Sequence, residues 1–255
     1  MTPSEQLELK LKLENKMRPE LRALFNRMLK AYKLEVSKGG MLSENFLDEW
    51  KILVSNHSER VQESFVGVGD IDIDEDDDNW FVLFGALAEW RRKREREAAL
   101  EISSTNMKQE FEAGREARQA LVESGELQYS DREYALVATA IYRRKLLSRV
   151  NTIAITETQK SAESAKLMEA YTEAGLNPLN IEQGEGQPMG APMMKKWQDV
   201  GDNKVRPGHR AAQVPKVQVD APFIVNGERL MYPGDISLGA SAGNTINCRC
   251  VSVYK

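Results

Sequence analysis

The chain holds two histidines and two cysteines among its 255 residues, and three of these four could bind metal. His209 sits in Arg206-Pro-Gly-His-Arg210, and Cys248 and Cys250 flank Arg249. Imidazole and thiolate are good zinc ligands. A C-x-C pair with one distant histidine is not a standard zinc spacing, however, and no fourth ligand is identifiable. The other reading is that two cysteines on one strand face pack inward as small apolar groups. One intervening residue is poor disulfide geometry, and two cysteines build no disulfide framework. The expectation is reduced thiols, with no metal and no cofactor.

Nuclease or transferase chemistry has weaker support. Arg206, Arg210, His209 and Glu157 could together hold a phosphate and shuttle a proton. They show no base and nucleophile at recognisable spacing, so the expectation is hydrogen-bonded residues that fix the C-terminal part. No nucleophile-elbow serine, H-E-x-x-H helix, P-loop or dinucleotide-binding glycine motif is assigned. His57 lies among polar residues and is expected on the surface. No catalytic residue is expected.

Charge narrows the partners. The net charge of −4 implies none by itself. The acidic block Asp70 to Asp78 lacks the glycine and closing glutamate of a calcium loop, so it reads as a solvated loop leading into a helix N-terminus. The basic block Arg91 to Arg96 could meet nucleic-acid phosphates. Glutamates interleave with it, which favours a solvated helix face with i,i+4 pairs. No apolar run approaches the ~18 residues that a membrane span needs. The charged N-terminus has no apolar core of a signal peptide, so none is expected.

The elements that must position these residues fall into two groups. Pro19 reads as the first residue of a helix, with Leu21, Leu24, Phe25, Met28, Leu29 and Tyr32 at i, i+3, i+4 spacing and Gly39-Gly40 as its stop. Ser43 can cap a second helix carrying Phe46, Leu47, Trp50, Leu53 and Val54. A third runs from Asn79 to about Gly125, with Trp80, Phe81, Phe84, Leu87, Phe111, Ala117 and Leu121 as apolar positions. Ser130-Asp-Arg-Glu133 has the form of a capping box before a fourth helix. A fifth runs from about Val150 to Ala174 and stops at Gly175. Residues 176–196 read as a Gly/Pro loop. Beyond it come short β runs at 214–219, at 223–231 around the Asn226-Gly227 hairpin turn, and at 248–254. The expected fold class is α+β: a mainly helical N-terminal region, 1–130, then a small α+β C-terminal domain, 131–255, with short antiparallel strands.

A family resemblance is carried by fragments in order. They are Thr156-Glu-Thr158 with Ala162 and Ala165, Lys195-Lys-Trp197, Asp202, Arg206-Pro-Gly-His209, Phe223, Val225-Asn-Gly227, Met231, Tyr232-Pro-Gly-Asp235 and Ile246-Asn-Cys-Arg-Cys-Val251. With this order and spacing the C-terminal part resembles the phage Mu F-like head morphogenesis proteins, the minor head proteins of tailed bacteriophages. Residues 1 to about 130 carry none of it. The link Ile236 to Thr245 departs from the family's short Gly/Pro-rich connection.

The resemblance implies a minor capsid component of the procapsid and virion, located inside the capsid at the portal vertex and assembled in the host cytoplasm. The implied partners are the portal protein, the major capsid or scaffold protein and packaged DNA, with a role in DNA packaging or ejection. Some relatives carry toxin or nuclease domains after the family domain. The sequence stops four residues beyond Val251, so none is expected here. Trp197, Arg206, His209, Phe223, Asp235, Asn247, Cys248, Arg249 and Cys250 are expected to be structural, with Arg206, Asp235 and Arg249 in one charge-assisted network. Two alternatives stand beside this reading: a DNA-binding protein using Arg91 to Arg96, and a nuclease or ADP-ribosyltransferase-like toxin.

Overall fold

A computed structural model of the protein describes residues 1–38, 46–66, 78–125, 128–179, 193–213 and 215–255. The expected glycine stops at 39–40, the Ser43 cap and the acidic block up to Asp77 lie outside the described residues. The fold is α+β. Four long helices come first: α1 (Pro3–Val36), α2 (Leu47–Val66), α3 (Asp78–Glu123) and α4 (Asp131–Glu173). Short elements follow: β1 (Met194–Gln198), α5 (Pro207–Ala211), β2 (Lys216–Gln218), β3 (Phe223–Val225), β4 (Glu228–Leu230), α6 (Ala242–Thr245) and β5 (Val251–Tyr254).

Two helix boundaries differ from expectation. Pro19 lies inside α1, which starts sixteen residues earlier at Pro3. A capping box opens it: Glu5 N–H donates to Thr2 Oγ1 (3.3 Å), and Thr2 N–H donates to Glu5 Oε2 (2.6 Å). An internal proline costs about 3 kcal/mol. Met17, Leu21, Leu24 and Phe25 are all buried beside it. At about 1.5–3 kcal/mol per buried large apolar side chain, their burial outweighs that cost. The fourth and fifth helices are one, α4, unbroken through residues 147–149. Its start is the expected capping box, with Ser130 N–H donating to Glu133 Oε2 (2.8 Å) and Glu133 N–H to Ser130 Oγ (3.2 Å). Its end is a Schellman turn: Gly175 has φ 70°, Leu176 N–H donates to Tyr171 O and Gly175 N–H to Thr172 O.

The chain forms two compact units, and they do not divide at residue 130 as expected. One is built from Met1–Asn15, His57–Arg92 and Ala154–Lys255, the other from Lys16–Asn56 and Lys93–Ile153. The reason is that α1 to α4 are long enough for each to contribute to both.

The Lys16–Asn56 and Lys93–Ile153 unit is all helical. Phe25 meets Trp50 edge-on (5.3 Å between centroids) and Tyr32 meets Tyr142 (4.7 Å). Two positions read as apolar periodicity are in fact exposed: Phe81, in the other unit, and Phe111 here. The basic run is not a free cationic face either. Arg91 and Glu59, both of the other unit, pair at 2.6 Å. Arg94 is buried and lies 3.7 Å from Glu97 and 3.6 Å from Glu101.

The Met1–Asn15, His57–Arg92 and Ala154–Lys255 unit is organised around one stretch of α4. Thr156 to Met168 are buried on every side, although the sequence there is Thr-Glu-Thr-Gln-Lys-Ser-Ala-Glu-Ser-Ala-Lys-Leu-Met. Buried polar groups are tolerable only when paired. Here Glu163 accepts from Lys10 Nζ (2.6 Å), Lys166 Nζ (2.9 Å) and Ser252 N–H (2.8 Å). Lys166 also donates to Gln6 Oε1 (2.7 Å). Gln159 accepts from Lys10 and donates to Pro233 O and Cys250 O. Ser161 donates to Ser58. His57, expected at the surface, is buried and its Nε2 lies 2.8 Å from Thr158 Oγ1.

The strands pack on that stretch. β1 is central in a three-stranded antiparallel sheet of order β2-β1-β5, with Trp197 opposite Ser252. The sequence alone reads 194–196 as loop, because Lys195 hides the alternation. Lys195 is fully buried beside buried Trp197, and its Nζ donates to Met231 O (2.7 Å). β3 and β4 form the expected hairpin, with Asn226 (φ 51°) and Gly227 (φ 80°) as a two-residue type I′ turn.

Candidate functional site

The motif residues of the C-terminal part meet around α5. Arg206 is its N-cap in extended backbone and Pro207 its first residue, where a missing N–H costs nothing. This short turn carries His209 inward, buried to 2% exposure. Trp197 from β1 meets the imidazole edge-on at 5.3 Å, and Phe223 from β3 meets Trp197 at 5.4 Å.

The cysteine segment arrives from the other end of the domain. Asn247 has φ 56°, a left-handed conformation that asparagine tolerates. Its N–H donates to Thr156 Oγ1 (3.2 Å), and Gln159 Nε2 donates to Cys250 O (2.7 Å). Arg206 Nη2 donates to Ile246 O (2.5 Å). Held in this way, Cys248 and Cys250 are buried free thiols on one side of Arg249.

His209, Cys248 and Cys250 come together there. The ligand atoms of all three lie within 4.8 Å of one another. His209 Nδ1 is 3.7 Å from Cys248 Sγ and 3.5 Å from Cys250 Sγ. Sequence spacing gave no sign of this, because the closure depends on long-range contacts: Trp197 of β1 packs on His209, and Thr156 and Gln159 of α4 hold the cysteine segment. The expectation that the cysteines pack inward holds. Spacing did not predict that the three ligand types would meet.

The two thiols titrate as a pair. Hydrogen bonding from Cys250 lowers the Cys248 thiol to about 5 against the cost of burial, with His209 adding to it. Cys250 is raised, by that same hydrogen bond and by burial.

The remaining expected residues have separate partners. The network of Arg206, Asp235 and Arg249 does not form. Arg249 lies 3.4 Å from Glu14. Asp235 is buried, accepting from Met231 N–H (2.7 Å) and Ser237 N–H (2.8 Å). Burial raises its carboxyl against those hydrogen bonds and Lys195. Each arginine finds a nearer partner: a carbonyl for Arg206, and a carboxylate on α1 for Arg249. Glu157 lies 3.9 Å from Lys160 on its own helix. A pocket of about 470 Å³ opens beside the cluster, lined by Arg206, His209, Asn247, Cys248, Arg249 and Cys250 among others.

Gly239-Ala-Ser241-Ala-Gly243 has the G-x-S-x-G spacing, contrary to the assignment that there is none. Ser241 does not sit on a strand-to-helix elbow. It is the exposed N-cap of the four-residue α6, and its backbone N–H donates to Glu228 Oε2 (3.0 Å). The two histidines face other groups, Thr158 and the cysteines.

Gly208 permits the arrangement. A Cβ at this position would overlap the carboxamide of Asn226, which is itself held by Asn244 Oδ1 (2.7 Å). Gly208→Ala is therefore expected to push α5 and the hairpin turn apart and cost about 1–3 kcal/mol, as overpacking does. Urea unfolding of the full chain measures it, and a loss under about 0.5 kcal/mol would refute the close packing.

No family model, curated protein or solved structure matches the chain.

Proposed function

We propose that the chain is a minor head protein of a tailed bacteriophage, a structural and assembly component of the procapsid and virion that binds at the portal vertex. One observation carries the reading. The fragments of the resemblance are scattered between Thr156 and Val251, yet they are one another's contacts. Thr156 holds Asn247, Arg206 holds Ile246, Trp197 packs on His209 and Phe223, and His209 faces both cysteines. Fragments of one domain's signature are expected to meet in this way, and their meeting supports reading them as one signature.

A partner surface is available in the helical unit. Leu100, Met107 and Phe111 of α3 are 53%, 49% and 68% exposed and recur at helical spacing on one face. Apolar side chains in such a row suit helix-in-groove docking. We assign this face to the portal. No helix among the described residues is long and apolar enough to cross a membrane, in keeping with a role that needs none.

Co-expression with the portal protein of the phage or prophage that encodes the chain tests the reading. The expected result is a complex that survives size exclusion, with a fixed stoichiometry by mass measurement. Phe111→Glu should weaken it at least about tenfold, as loss of a buried aromatic anchor does. No complex with portal, capsid or scaffold protein would overturn the proposal. Steeply salt-dependent retention on DNA instead would favour the basic segment of α3 as a nucleic-acid site.

A further inference from the structure

We infer that His209, Cys248 and Cys250 bind one zinc ion, with the fourth position facing the pocket lined by Arg206, Asn247 and Arg249. The inference stands on geometry and does not rest on the proposed function. Tetrahedral zinc, with Zn–S of about 2.3 Å and Zn–N of about 2.0 Å, requires its nitrogen and sulfur ligands to sit about 3.6 Å apart. The observed separations are 3.5 Å and 3.7 Å, from one nitrogen to both sulfurs. Hydrogen bonding alone accounts for this less well. His209 Nδ1 has one lone pair or one proton, so it satisfies one sulfur at a time.

The surroundings suit a fixed site. All three side chains are buried. The backbone of the cysteine segment is already pinned by Thr156, Gln159 and Arg206, and the imidazole by Trp197. Ligands held by their own supports lose little freedom on binding. Two thiolates and a neutral imidazole select zinc over calcium or magnesium, which take oxygen. Binding releases the thiol protons, and the two sulfur charges balance the ion. A metal here would join α5 to the segment before β5.

The test uses the full chain, expressed with zinc in the medium and purified under a reductant that does not chelate. Elemental analysis should find about one zinc per chain, and the Cys248→Ser/Cys250→Ser double variant less than about a tenth of that. Should the double variant fail to fold, the wild type decides alone. Stripped with chelator and titrated with cobalt(II), it should give a thiolate-to-metal charge-transfer band and d–d bands of tetrahedral intensity at one equivalent. Both thiols should resist a thiol reagent until chelator is added, and chelator should lower the thermal midpoint. Wild type without zinc, without cobalt bands and with freely reacting or disulfide-linked cysteines would overturn the inference.

Discussion

Glu163→Ala is expected to cost the protein about 3–5 kcal/mol, a large part of the stability of an ordinary domain. Burial alone would raise the carboxyl of Glu163, yet Lys10 and Lys166 hold it below its ordinary value. Removing it leaves two buried ammonium groups with no anion between them, and Ser252 N–H without its acceptor. Burial already depresses Lys166 to about 8 with Glu163 present, so its charge is costly even when paired. Glu163→Gln keeps an acceptor for Ser252 and should fall between wild type and alanine. The triple variant Lys10→Met/Glu163→Leu/Lys166→Met replaces the cluster with apolar groups of similar volume and should recover most of the loss. Urea midpoints of the four proteins decide the matter. An alanine variant within about 1 kcal/mol of wild type would show that the cluster is not what holds the strands to α4.

Lys195→Met should remove a rise in stability between pH 7 and pH 9.5 that the wild type shows. Burial depresses Lys195 to about 7, against Asp235 and Asp220. In the unfolded chain it titrates near 10.5. Between these values the unfolded state binds more protons than the folded one, so stability increases with pH. From pH 7 to 9.5 the contribution of this one group is about 3 kcal/mol. The other shifted groups are common to both proteins, so the difference between their slopes isolates Lys195. Equal slopes would mean that the amine is solvated in the folded state.

The legible parts of this fold were those with local causes. The capping box at Ser130, the glycine stop at Gly175 and the Asn226-Gly227 turn each rest on a few adjacent residues, and each is where the sequence put it. The buried stretch of α4 was not legible, because its residues are polar and their partners lie up to 160 positions away. The same concealment hid β1, where Lys195 takes an inward position normally held by an apolar side chain. His57 was misplaced for the same reason, since its neighbours in sequence are polar and its partner Thr158 is distant. At the candidate site the ligand types were visible and their meeting was not. Spacing rules describe ligands supplied by one local segment, whereas here two segments nearly forty residues apart meet each other directly.

The buried stretch of α4 also sets an order of events during synthesis. Its partners come from both sides: Gln6 and Lys10 are made long before it, and Ser252 long after. At about 5–20 residues per second, Ser252 leaves the ribosome roughly 5–18 s after Glu163. Throughout that interval the helix can form and collect its lysines, but one side of it has nothing to face. The helical elements are thus kept waiting for the last strand, and any cellular factor that shields exposed helix has those seconds in which to act.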